Sequence, residues 1–411
     1  MKNKILKIID CIIYWPIVIM PFSVAIAPGL ANTFIGFFSA FFIIKKIIKK
    51  ERLSVSILLI LPFCIMIIAA AISFKNSVSY PTSLGGIVKL LKYLMIFMVC
   101  AEEIKDLKQI KMIVFSICCG VTLSSLDAFW QIASGRDFIH GIVLQQRIGL
   151  PRATAGFPDC NLFGIYMSTL MPLVIGLTLF YFKGKKKLFM AFISALGILG
   201  LYTTFSRGAG LGLYLGILFL SIAKKNKLLT VFLITAFIIF PFVMPAKIKQ
   251  WAKDVNYNPI VFLCNQDRLS IYANTVNMIK YHPLIGVGVN TFSRNYGKYK
   301  TESAEKYAHT PDGIYAHNIY LHMAGEVGLL GLAAFFWFLF VLFRQGYKAY
   351  IKLNDDYLKI IAISLLACFL SFLINGLTET SLYNPRVAMV FWYLIGVSLV
   401  LNKFRNTARP N

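Results

Sequence analysis

Residues 316–332 read AHNIYLHMAGEVGLLGL, and the apolar run continues through AAFFWFLFVLF to Phe343. A hydrocarbon core about 30 Å thick asks a helix for about 20 mostly apolar residues. The stretch therefore reads as a membrane span, with His317, His322 and Glu326 at its mouth. The rest of the 411-residue chain repeats the pattern: 58% of it is hydrophobic and only 14% charged, with a mean hydropathy of +0.70. The expected fold class is an all-α polytopic integral membrane protein. About twelve transmembrane helices are expected, at roughly 10–28, 30–45, 55–74, 84–101, 110–130, 161–182, 188–205, 208–223, 228–246, 316–343, 357–377 and 385–402. The start, MKNKILKIIDCIIYWPIVIM, has a basic flank and an apolar run but no small-residue cleavage site, so a retained first helix is expected.

The formal net charge of +25 raises the question of nucleic acid. Most Lys and Arg, however, sit in short clusters between apolar runs: KKIIKKER (45–52), KGKKK (183–187), AKKNK (223–227), RQGYKAYIK (344–352) and NKFR (402–405). This is the positive-inside pattern of a chain beside anionic membrane lipids, so no nucleic-acid partner is expected. With the amino terminus in the cytoplasm, all these clusters and EEIKDLKQIK (102–111) face the cytoplasm, and both termini lie there.

The whole chain, 1–411, reads as a single membrane domain with two substantial outer segments, about 131–160 and about 247–315. The second is the large external loop between the ninth and tenth spans, long enough to suggest a function or a partial fold. Within it DRLSIYANTVNMI (267–279) reads as an amphipathic helix, apolar at Leu269, Tyr272, Val276 and Ile279, and YHPLIGVGVNTF (281–292) breaks it. Eight cysteines show no CxxC and no metal spacing. Six lie in apolar runs, while Cys160 and Cys264 fall outside and are placed where they could pair.

The outer end of the tenth span is preceded by the turn residues Asp312 and Gly313. Free N–H groups and the helix dipole favour anions there. On helical spacing His317 shares a face with Leu321, and His322 shares one with Glu326. His317 reads either as an interfacial histidine satisfied by backbone or as a proton acceptor. His322 and Glu326 read either as a mutually satisfied pair or as part of a site. Arg207, in TTFSRGAGLGLYLG, falls in an outward turn against the positive-inside bias, with Gly208, Gly210 and Gly212 beside it to let backbone or ligand come close. Its bland alternative is snorkelling. Arg268 opens the loop helix, and its bland alternative is an ion pair with Asp267 or another loop acid. Outward arginines with a histidine suit an anionic, lipid-borne substrate: guanidinium forks match phosphate oxygens, and an imidazole can take a hydroxyl proton. No DxD-type acidic pair occurs on this side, so neither a metal nor a cofactor is expected.

Together DRLSIYANTVNMIKYHPLIGVGVNTF and AHNIYLHMAGEVGLLGL resemble the signature region of the O-antigen ligase/polymerase membrane family. There an Arg-led loop helix, an hPLxGxGxxxF turn and an HNxYLxxxxExGLxGL helix follow in that order. The upstream FSRGAGL is similar to the family's Ser/Thr-Arg turn. The resemblance covers roughly 200–335 by motif, and the rest of the chain by span number and loop placement. It implies a lipid-carrier-dependent glycosyltransferase of GT-C-like architecture in the bacterial inner membrane, inverting and metal-independent. The donor would be an undecaprenyl-diphosphate-linked glycan, used on the periplasmic face. By matching position, Arg207 and Arg268 would bind the diphosphate and His317 would activate the acceptor, with Asn318, Tyr320, Glu326 and His322 in support. The length, span number and single dominant late loop fit an O-antigen ligase with a lipid A-core acceptor. The O-antigen polymerase, the protein O-oligosaccharyltransferase and a non-enzymatic lipid-linked glycan flippase stand as alternatives.

Overall fold

In hydrocarbon every backbone polar group must find its partner within the chain, and a helix does this locally. The computed structural model describes residues 2–147, 149–243, 246–302 and 314–406. Among them the chain is helical apart from turns and one short antiparallel ribbon pairing Gln145–Arg147 with Leu150–Arg152. Among the described residues every expected span coincides for most of its length with a helix. Nine helices among the described residues are long and apolar enough to cross a membrane: Asn3–Ile26, Pro28–Lys49, Ile57–Asn76, Tyr80–Glu103, Leu107–Ser134, Cys160–Phe180, Ile319–Lys352, Asp356–Asn375 and Pro385–Phe404. The other three expected spans coincide with Gly184–Tyr202, which opens on three lysines, and with the 17-residue helices Arg207–Ala223 and Lys227–Val243.

The helices Cys160–Phe180, Asp356–Asn375 and Pro385–Val400 form the centre of the bundle and bury nearly all their side chains. Trp392 anchors the apolar packing, with Phe63, Phe338 and Phe391 rings 5.1–5.4 Å away. Hydrogen bonds tie the two polar centre helices: Ser371 Oγ donates to the Ser168 carbonyl at 2.8 Å, and Asn375 Nδ2 to Ser168 Oγ at 2.9 Å. Arg207–Ala223 lies close against the same centre because Gly208, Gly212 and Gly216 face it. A Cβ at these positions would come within 2.2 Å of Thr378 Oγ1, 2.6 Å of Asn375 Nδ2 and 3.1 Å of the Ala367 carbonyl. The glycines beside Arg207 thus serve helix packing by the small-xxx-small device, whereas Gly210 faces open space. At the edge, Lys227–Val243 buries none of its side chains, as suits a helix surrounded by lipid.

The long helix Ile319–Lys352 is broken at Gly328, where φ is +71° and ψ −177°. The PLIGVG turn fills the break. Val287 and Gly288 N–H groups donate to the Gly325 and Glu326 carbonyls at 2.9 and 3.0 Å; Leu329 and Leu330 donate to Pro283 and Leu284 at 2.8 and 3.4 Å. The contact leaves no room for side chains: a Cβ on Gly286 would lie 2.4 Å from Glu326 backbone, and one on Gly328 2.1 Å from the Leu284 carbonyl. The loop is thereby locked to the span it precedes. Its helix, Pro259–Tyr281, kinks at Asn265 (φ +63°), so the expected 267–279 helix is the second arm, with Arg268 in its first turn. The Asp312–Gly313 turn lies outside the described residues. Cys160 is buried and Cys264 half-buried, and no disulfide joins them.

The basic clusters gather at the bundle end where Lys45 bridges Asp10 and Glu103, Lys46 meets Glu102 at 2.7 Å, and Lys403 Nζ donates to the Ala101 carbonyl at 2.6 Å. That is the end which the positive-inside pattern of the sequence leads one to expect in the cytoplasm. In a cysteine-free background, an impermeant maleimide should label Lys298→Cys from outside and leave Lys185→Cys unlabelled; both positions are exposed on the protein. The opposite pattern would place the loop on the cytoplasmic face.

Candidate active site

Three segments distant in sequence converge at one end of the bundle: the second arm of the loop helix, the residues before Ile319, and the turn between Asp356–Asn375 and Pro385–Val400. Backbone and cap bonds set their positions. Asn318 caps the long helix, its Oδ1 accepting from Tyr320 and Leu321 N–H at 2.9 Å, while its Nδ2 donates to the Leu377 carbonyl at 3.1 Å. Ile319 N–H donates to the Gly376 carbonyl at 2.8 Å, and the Tyr320 hydroxyl to Leu373 at 2.9 Å. The Tyr272 hydroxyl sits 3.0 Å from both the His317 and the Leu377 carbonyls.

This frame fixes a cluster around Glu379. Its Oε1 accepts from Arg268 Nη2, and its Oε2 lies 2.9 Å from His317 Nδ1. The Glu379 and Arg268 side chains are 13% and 14% exposed; that of His317 is 36% exposed and reaches open space. Burial works to raise the Glu379 pKa, but the Arg268 guanidinium and His317 outweigh it and hold the carboxyl below its ordinary value. An ionised carboxylate only accepts hydrogen bonds, so Nδ1 of a neutral His317 must carry the proton and Nε2 keeps a lone pair. His317 reaches this position because it precedes the helix with φ +48°. The expected face shared by His317 and Leu321 is therefore incorrect: one left-handed residue turns the ring out of the helical repeat.

Two cavities meet at the cluster and share Asn161, Asn265, Arg268 and Glu379. The first, about 500 Å³, holds His317 with Lys89, Asp159, Asp267 and Asn384. The second, about 510 Å³, is lined by Arg152, Arg207 and Arg268 together with Trp251 and Phe262, and by the acids Asp254 and Glu379. Arg207 stacks its guanidinium 3.9 Å over the Trp251 ring and donates to the Phe262 carbonyl and, at 2.6 Å, to Asn265 Oδ1. A guanidinium has five N–H donors, so these two bonds orient the fork and leave others for a ligand. Arg152 donates to the Thr204 carbonyl at 2.6 Å and to Asn161 Oδ1 at 2.8 Å.

The structure brings Arg207, Arg268 and His317 to these cavities. His322 and Glu326 stand apart from both. They are fully buried, with His322 Nε2 3.3 Å from Glu326 Oε1 and the imidazole packed against Phe292 and Tyr383. Glu326 accepts from Asn290 and Phe292 N–H at 2.7 and 3.0 Å, which pins the loop above the Gly328 break. Asn318 and Tyr320 hold the backbone, as described. Sequence reading missed Glu379, Arg152, Trp251 and Lys89. Arg152 carries the same sequence signal as Arg207, an arginine in an expected outer segment against the charge bias. Glu379, in NGLTETSLYN (375–384), is an acid in a short outward turn of an acid-poor chain.

A carboxyl held below its ordinary value stabilises the fold fully above the unfolded pKa, and loses that contribution as pH falls through the lower folded value. The thermal-stability gap between the solubilised wild type and Glu379→Gln should therefore narrow as the pH drops from neutral to below 4.5, the ordinary value. A gap indifferent to pH would show that the charge is not what holds the cluster.

Comparison with known proteins bears on the same region. No curated protein matched the chain. Residues 191–336 match the family model described as O-antigen ligase, a stretch that contains Arg207, Arg268, His317 and the Gly328 break. The chain is thus an all-α polytopic membrane protein, of which residues 191–336 are similar to the O-antigen ligase family.

Proposed function

We propose that the protein is an O-antigen ligase: it transfers a glycan from undecaprenyl diphosphate to the lipid A-core oligosaccharide on the periplasmic face of the bacterial inner membrane. The observation that carries this reading is the position of Glu379, which holds His317 in one cavity and Arg268 at the wall which that cavity shares with the arginine-lined one. The arginine-lined cavity suits the diphosphate of the donor, and its Trp251 and Phe262 wall suits apolar or sugar-ring contact. The His317 cavity, with Asp159, Asp267 and Asn384, suits a hydroxyl-rich acceptor.

In the proposed reaction an acceptor hydroxyl gives its proton to His317 Nε2 as its oxygen attacks the anomeric carbon. The carbon–oxygen bond to the diphosphate breaks, and the electron pair leaves with the phosphate oxygen. Attack opposite the leaving group inverts the configuration. Negative charge grows on the diphosphate in the transition state, where fixed guanidinium donors of Arg207, Arg268 and Arg152 stabilise it more than in the ground state. Those cations take the place a divalent metal holds in other glycosyl transfers.

The membrane form of His317→Ala should accumulate normally and lose about 10²–10⁴-fold in transfer rate, the usual contribution of a general base. That corresponds to about 3–5 kcal/mol of barrier. Near-normal transfer would leave His317 a structural role only. Arg268→Lys keeps the charge but loses the fork, so it should be impaired rather than silent. Transfer by purified protein should continue in excess EDTA, and activity restored only by added magnesium would reject the arginine-based account. Ligase and polymerase separate on a lipopolysaccharide gel of a deletion strain. Bare core with accumulated carrier-linked polymer supports the ligase, whereas core carrying a single repeat means polymerase.

A further inference from the structure

The end of the bundle remote from Glu379 carries a second feature. Helix Asp356–Asn375 links the two ends: it finishes beside the Gly376–Glu379 turn, and Tyr357 in its first turn lines a cavity of about 950 Å³. This cavity is a slot between Leu107–Ser134 and Gly184–Tyr202, walled by Val114, Cys118, Cys119, Leu123, Met190 and Ile193. Lys111, Lys183 and Lys186 stand exposed at its mouth. The rings of Tyr181 and Tyr357 lie 4.8 Å apart there, with Lys111 Nζ 5.8 Å above Tyr357.

The neighbouring acids make their hydrogen bonds and ion pairs elsewhere. Asp106 and Asp355 cap their own helices, accepting from Gln109 and Leu358 N–H at 2.7 and 2.9 Å, while Glu102 and Glu103 pair with Lys46 and Lys45. Among the described residues no acid is bridged to Lys111, Lys183 or Lys186. The slot therefore has a cationic mouth and an apolar wall. From Lys111 to Leu126, both on its lining, a helix rises about 22 Å. One leaflet is about half of a 30 Å hydrocarbon core, so the slot is deep enough to hold an acyl chain through its leaflet. Basic pockets between membrane helices select anionic headgroups on the same grounds.

We propose that this slot binds one anionic glycerophospholipid, its phosphate held by Lys111, Lys183 and Lys186 and one acyl chain laid along Cys118, Leu123 and Ile193. The lipid carrier of the transfer reaction belongs at the other end, beside the arginines, so the two lipids occupy separate sites. The bound phospholipid would fill the gap between two helices whose direct packing is incomplete.

Half-buried Cys119 reports on occupancy. The full-length protein in detergent is treated with N-ethylmaleimide, and modification of the peptide holding Cys118 and Cys119 is followed by mass spectrometry. Dioleoylphosphatidylglycerol should slow the modification several-fold, and dioleoylphosphatidylcholine, with the same chains, should not at equal concentration. Each lysine near a headgroup is worth roughly fivefold in affinity. The combined Lys111→Gln, Lys183→Gln and Lys186→Gln variant should therefore lose the protection, and the matching Arg variant should keep it. Equal protection by both lipids would mean unselective solvation of an apolar face and overturn the proposal. Protection by glycerol 3-phosphate alone, by neither lipid, or undiminished in the Gln variant would overturn it too. If the Gln variant fails to fold, the comparison of the two lipids on the wild type still decides.

Discussion

A carboxylate removed from water is costly unless charged and hydrogen-bonding partners replace the water. Glu379 meets that demand with Arg268 from the loop helix and His317 from the threshold of the long helix. Neither partner is near it in sequence, so the single carboxylate decides that these side chains stand at one place. The backbone frame around it, from Asn318 to Leu377 and from Ile319 to Gly376, aligns the same segments. Loss of any one partner would leave buried charge uncompensated at the wall between two cavities.

The loop can offer Arg268 at a fixed point because it is held by a membrane helix that is deliberately incomplete. At Gly328 the long helix gives up its own hydrogen bonds, and the PLIGVG turn supplies substitutes on both sides of the break. Non-helical backbone at such a place is tolerated only where protein satisfies it. The turn's two glycines, the glycine of the break and Glu326 therefore form one device. Glu326 takes the N–H groups of Asn290 and Phe292, and buried His322 packs beside it. At the other end of the loop, Arg207 holds the Asn265 kink through Phe262 and the Trp251 ring. The loop is thus pinned at two points, with Arg268 between them.

The membrane bundle was legible in the sequence because hydrocarbon imposes a length and an apolarity that few other environments demand; among the described residues the expected spans coincide with helices, nine of them long and apolar enough to cross a membrane. The loop helix was legible by its apolar spacing, though its first arm and its kink at Asn265 were not, since one residue's φ leaves no periodic trace. The same limit applies to His317: helical spacing placed it over Leu321, and a left-handed φ moved it to Glu379. The Arg268–Glu379 pair spans 111 residues, and no local pattern announces a partner that far away. The ordinary reading of Arg268, an ion pair with a loop acid, was half right, because the pairing is real but the acid lies in another loop and the pair lines a cavity. His322 and Glu326 are a buried pair 3.3 Å apart in which Glu326 takes the loop N–H groups, while His322 Nε2 makes no hydrogen bond among the described residues. Gly208 and Gly212 were legible as sites of close approach, but only packing could show that the neighbour is a helix.

The central claim is that Glu379 and His317 act as one unit. Its most direct test is a double-mutant cycle on transfer rate with the purified protein, comparing Glu379→Gln, His317→Ala and the combined variant, each normalised to folded protein. Residues that act together lose their effects non-additively. The account predicts that adding Glu379→Gln to His317→Ala lowers the rate far less than Glu379→Gln lowers it alone, with only the share carried through Arg268 remaining. Losses that simply multiply would contradict it, and would mean that the carboxylate and the imidazole, though 2.9 Å apart, work independently.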